Sequence, residues 1–168
     1  MTDASAFIPH RGAMLLISAV RDVSVNSRND GNGANDGAGP SAETVHDVTL
    51  DEPCYAQWGL TEGPWPRTLM TEFLGQTAAL LCACANAGRT DQSPLFARAE
   101  NAVFLGDAFP GDRVIGRATI ERTIGPASFV RASARVGDRL LCTIDQATIF
   151  YTEKSGTSRT RTTKGRTP

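Results

Sequence analysis

No cysteine in this 168-residue sequence has a partner at metal-binding or redox spacing. Cys54, Cys82, Cys84 and Cys142 form no CxxC pair. Cys82 and Cys84, two apart in a helical pattern, point ~200° apart around the axis, which excludes a shared metal site on a regular helix. They read as small apolar side chains in a reducing compartment. A secretory leader is not legible, because Met1 to Pro9 has neither a charged start nor an apolar stretch. The longest apolar run, around Thr77 to Ala85, is too short to span a bilayer. Basic residues are concentrated at one end: Lys154, Arg159, Arg161, Lys164 and Arg166 occur there with no acid, under a formal net charge of −1. A basic tail on an acidic body is not the footprint of a nucleic-acid-binding domain. The expectation is a cytoplasmic protein with no metal, membrane or nucleic-acid partner.

What is present fits one domain over residues 1–153, followed by a disordered basic tail over 154–168. Residues 26–42 contain no large apolar side chain and are expected to form a flexible loop. Before it, the run from Met14 to Val25 turns into a β-branched alternating pattern, and a strand is expected from Glu43 to Leu50. Arg67 to Gly88 is the clearest helix. Leu69, Met70, Phe73, Leu74, Leu80 and Leu81 recur at spacings of three and four, while Ala78, Ala79, Cys82, Ala83 and Ala85 make the other face small and uncharged. A helix apolar all round is buried all round. Pro64 and Pro66 precede it, and Gly88 with Arg89 marks its end. Four strand patterns follow, at Leu95–Leu105, Arg113–Ile124, Ser128–Val136 and Arg139–Tyr151. No crossover helices separate them, so the sheet is antiparallel. The fold class is α+β: one long buried central helix wrapped by an antiparallel sheet, the hotdog architecture, with another α+β arrangement open.

Between Thr68 and Gly88 there is one charged side chain, Glu72. A buried carboxylate is costly unless paired, so its pKa is expected to rise, and a glutamic acid so raised donates protons at neutral pH. The bland alternative is an interaction with the helix N-terminus, although Glu72 lies a full turn beyond it. Gln76, one turn on, either orients that carboxyl group or is an ordinary core amide.

Several stretches resemble the bacterial β-hydroxyacyl-ACP dehydratases. Ile8-Pro9-His10-Arg11 with Met14-Leu15-Leu16-Ile17 is similar to that family's N-terminal Pro-His-Arg and apolar strand. Asp51-Glu52-Pro53-Cys54-Tyr55 resembles its Asn-Glu-Pro-Phe-Phe, and Leu69 to Gln76 resembles Leu-Met-Ile-Glu-Ala-Met-Ala-Gln on the central helix. Pro110-Gly111-Asp112 matches the Pro-Gly-Asp that opens a later strand. The resemblance covers most of residues 8–151.

It implies loss of water from a β-hydroxyacyl chain carried on the phosphopantetheine of acyl carrier protein, without another cofactor. A histidine takes the α-proton, a helix carboxylic acid protonates the departing hydroxyl, and backbone N–H groups at the helix start polarise the thioester carbonyl. In the family homodimer one subunit brings the histidine and the other the carboxylate. Here Glu72 falls on the carboxylate and Arg67 on the helix-start glycine. Trp58 falls on the histidine, and its indole cannot act as a base. His10 matches a noncatalytic histidine and His46 has no family role; both read as structural. Trp58, Arg67 and Gln76 are the candidate substrate-binding residues. The sequence thus implies a heterodimer in which a histidine-bearing hotdog subunit completes the site, resembling the paired dehydratases of polyene assembly lines. A noncatalytic acyl-ACP-binding or partner-stabilising protein, with Trp58 plugging its own pocket, and a hotdog thioesterase are the alternatives.

Overall fold

The computed structural model describes residues 3–25, 39–87 and 92–153. Two short 3-10 turns, Ala4–Ala6 and Gly12–Met14, lead into β1 (Ala19–Ser24) and β2 (Ser41–Asp47). A four-residue helix α1 (Pro53–Ala56) and the long helix α2 (Arg67–Ala85) come next, then β3 (Gln92–Phe104), β4 (Arg113–Ile124), β5 (Ala127–Val136) and β6 (Arg139–Glu153). The six strands form one sheet in the order β1-β2-β4-β5-β6-β3, with every neighbouring pair antiparallel. This is the α+β architecture expected from the sequence.

The sheet curls around α2, whose residues from Phe73 to Cys82 are all buried. Register shifts between Val20 and Asp22, Phe96 and Arg98, Ile120 and Arg122, and Val130 and Ala132 supply the bend. The concave face is lined by alternate residues, Val114, Gly116, Ala118 and Ile120 on β4 and Val130, Ala132 and Ala134 on β5. Small residues bring the layers close. A Cβ on Gly116 would stand 2.7 Å from the Phe73 ring, and one on Gly75 would stand 2.3 Å from the Phe96 ring. By length and composition α2 is apolar enough to cross a bilayer, contrary to the estimate from run length, but its packing against β2 to β6 makes it a core helix.

The expected strand at Glu43–Leu50 is shifted: Ser41 and Ala42 belong to β2, and the chain leaves the sheet after Asp47. The expected flexible loop therefore ends earlier than predicted, and its residues 26–38 lie outside the described residues, as do residues 154–168 of the tail. Gly88 and Arg89 also lie outside them. The end of α2 at Ala85 is closed by Asn86, whose side-chain amide donates to the Cys82 carbonyl at 3.0 Å, and by Tyr151 Oη, which donates to the same carbonyl at 3.0 Å. Cys82 and Cys142 are buried and Cys54 and Cys84 are half-buried. Burial pushes the Cys82 and Cys142 thiols up to about 11, which leaves them inert.

Candidate active site

The site lies where the N-terminal segment, α1 and the first turns of α2 meet. The chain enters α2 through Pro64-Trp65-Pro66, and Trp65 is fully buried, its backbone N–H bonded to the Ala108 carbonyl at 2.7 Å. Pro66 is the N-cap residue; no side chain caps the helix start. Arg67, the first helical residue, turns its guanidinium to Asp107 (Nε to Oδ1, 2.9 Å) and over the Phe104 ring at 5.4 Å.

Glu72 differs from its sequence-based expectation. Its side chain is 30% exposed and paired, so the premise of an isolated buried carboxylate is not met. Oε1 accepts from Gln76 Nε2 at 2.9 Å and lies 3.1 Å from His10 Nε2. Gln76 resolves its two alternatives by being both. It is a buried, satisfied amide, accepting from Leu16 N–H at 2.9 Å and donating to the Met14 carbonyl at 2.8 Å. The same NH2 group orients Glu72.

A second carboxylate, Glu52, is more thoroughly enclosed. Oε1 accepts from Thr49 N–H at 2.9 Å and lies 3.2 Å from His46 Nε2, and Oε2 accepts from Trp65 Nε1 at 2.9 Å. Burial by itself would raise this carboxyl, but the His46, Thr49 and Trp65 hydrogen bonds outweigh it and hold Glu52 below the usual value. His46 Nδ1 donates to the Leu16 carbonyl at 2.6 Å, and the ring stacks on Trp65 at 4.4 Å. Leu16 thus joins the two carboxylates: its N–H leads through Gln76 to Glu72, and its carbonyl leads through His46 to Glu52.

Trp58 follows α1 and is 78% exposed, so it does not plug a pocket of its own chain. Among the predicted site residues the structure brings Glu72 and Gln76 together, and leaves Trp58 and Arg67 separately on the surface. The sequence reading missed the contact of His10 with Glu72 and the role of Glu52. Both residues stand in the motifs that carried the resemblance, Pro9-His10-Arg11 and Asp51-Glu52-Pro53, and that was the available signal.

No protein-family model matches the chain. Full-length relatives do. The 3-hydroxyacyl-(acyl-carrier-protein) dehydratase FabZ of Cupriavidus taiwanensis is 30% identical over 148 residues, covering 83% of this chain and 90% of that protein. The chain belongs to the 3-hydroxyacyl-(acyl-carrier-protein) dehydratase family. The FabZ of Haemophilus ducreyi is 25% identical over 146 residues, covering 86% of each chain. Among solved structures, the dehydratase heterocomplex ApeI:P from Xenorhabdus doucetiae superimposes with a TM-score of 0.69 at 12% identity, over 92% of this chain and 93% of that one. A thioesterase-like protein from Ralstonia eutropha gives 0.57 at 19% identity, over 79% and 83%. At these identities both structures speak for the fold alone.

Proposed function

We propose that this chain is one half of a heterodimeric β-hydroxyacyl-ACP dehydratase, supplying Glu72 as the acid while a histidine-bearing hotdog subunit supplies the base. The observation that carries the reading is the contrast between Glu72 and Trp58. Glu72 is held by Gln76 with its second oxygen unpartnered among the described residues, whereas Trp58, which the resemblance sets at the position of the base, is an exposed indole that cannot take a proton.

The substrate is a β-hydroxyacyl chain on the phosphopantetheine of acyl carrier protein, within fatty-acid or polyene synthesis. The base takes the α-proton, Glu72 protonates the departing β-hydroxyl, and the uncapped N–H groups at the start of α2 face the thioester carbonyl. Trp58 and Arg67 line the entry of the acyl-pantetheine arm. His10 is not the base. It touches Glu72 directly, and a base and an acid in mutual contact leave no room for the α- and β-carbons between them.

The test is reconstitution. The chain is purified alone and with the hotdog chain that co-purifies from its own host, and each is given a β-hydroxyacyl-ACP. Loss of water by the pair, with neither chain active alone, is the expected result. Dehydration by this chain alone, or release of free acid from the thioester, overturns the proposal.

A further inference from the structure

We propose that His10 is a positioning residue of this site: together with Gln76 it occupies Oε1 of Glu72, so that the proton given to the departing hydroxyl sits on Oε2. The inference rests on the reading of Glu72 as the acid, and extends it to the atom that delivers the proton and the residue that selects it.

Oε1 has two nitrogens beside it. Gln76 is fixed in orientation, because its oxygen takes the Leu16 N–H and its nitrogen faces the Met14 carbonyl. Its remaining N–H reaches Oε1 at 2.9 Å. His10 Nε2 reaches the same oxygen at 3.1 Å. The opposite ring nitrogen, Nδ1, is shut away from solvent and has no partner. With the proton there, the bare Nε2 lone pair would face a carboxylate oxygen 3.1 Å away, so the ring proton belongs on Nε2. An oxygen that already accepts one N–H bond and is flanked by a second nitrogen is the poorer site for a proton. Oε2, unpartnered among the described residues, is the better one.

His10 is held in place. Ile8, two residues earlier, is 2% exposed, and the Arg11 guanidinium bonds the Ile8 and His10 carbonyls at 2.7 and 2.6 Å. In the step itself the Oε2–H bond breaks as its proton passes to the β-hydroxyl, and the β-carbon–oxygen bond breaks with its electron pair leaving as water. The α-carbon–hydrogen pair becomes the new double bond as the partner's base takes the α-proton. The negative charge left on Glu72 is met by the Gln76 N–H and by the His10 ring beside it.

Two measurements test this. In the reconstituted pair, His10→Phe lowers kcat roughly ten- to hundredfold with KM unchanged, while His10→Gln, which offers an N–H donor again, recovers most of the rate. In the full chain alone, nitrogen NMR of labelled histidine finds the His10 proton on Nε2, and Glu72→Leu abolishes that preference. A wild-type kcat in His10→Phe, or a proton on Nδ1 in the unaltered chain, overturns the proposal. Should His10→Phe fail to fold, the tautomer spectrum decides. Failure of the underlying reading looks different: Glu72→Gln then keeps full dehydration while the His10 tautomer stays as predicted.

Discussion

Two glutamate–histidine pairs of nearly equal length sit in this chain, and their surroundings set them apart. Glu52 and His46 are 3.2 Å apart with side chains 14% and 7% exposed; Glu72 and His10 are 3.1 Å apart with side chains 30% and 29% exposed. In the first pair both carboxylate oxygens and both ring nitrogens have partners. In the second, one oxygen and one ring nitrogen have none among the described residues. The first arrangement is a lock that ties the α1 segment, Trp65 and the Leu16 backbone together. The second keeps bonding capacity in reserve at a surface, which is what a proton-transferring group requires. Because Leu16 connects them, the lock also sets the position of Gln76 and thereby of Glu72.

The comparison can be broken by substitution. Glu52→Gln carries the largest effect on stability, about 3 kcal/mol, because His46 Nε2, Thr49 N–H and Trp65 Nε1–H all lose a charged acceptor; thermal or urea melts measure it. The pH dependence has a definite sign. The folded Glu52 carboxyl lies below its ordinary 4.5, so its contribution is full above that value and is lost as pH falls through the lowered folded value. Melts of Glu52→Gln across that acid range should lack this component. Gln76→Leu strands the Leu16 N–H and Met14 carbonyl and should cost about 1–3 kcal/mol. Gly75→Ala, one residue before Gln76, pushes a methyl group into the Phe96 ring and should cost a similar ~1–3 kcal/mol through overpacking. Trp58→Ala should change stability by no more than about 0.5 kcal/mol, since the indole is exposed. A large loss there would make Trp58 part of the chain's own packing.

Much of the fold was legible because periodicity is a local signal. The bounds of β4, Arg113–Ile124, were as expected, and β5, β6 and the start of α2 differed by two residues at most. The four-residue α1 was missed because it is too short to show a period, although Glu52-Pro53 places proline where a helix begins. The pattern of the sheet was also insufficient to fix the end of β2, where Val48 still bonds the Asp112 carbonyl after leaving the ladder. Gly111, with φ +97°, makes that meeting possible. Glu72 was singled out on the expectation of a buried charge, which its 30% exposure does not meet. Composition shows that a charge stands on an apolar helix; it does not show that a histidine near the start of the chain comes back to meet it. Long-range pairs such as His10–Glu72 and Glu52–Trp65 are made by topology and leave no spacing to read.

The central claim is that Glu72 is the acid of a divided site. The most direct measurement is the rate of water loss from a β-hydroxyacyl-ACP by the reconstituted pair, with Glu72→Gln in this chain and the partner unaltered. The account predicts a fall of about 10²–10⁴-fold with the melting temperature of the complex unchanged. Full dehydration by the Glu72→Gln complex would contradict it.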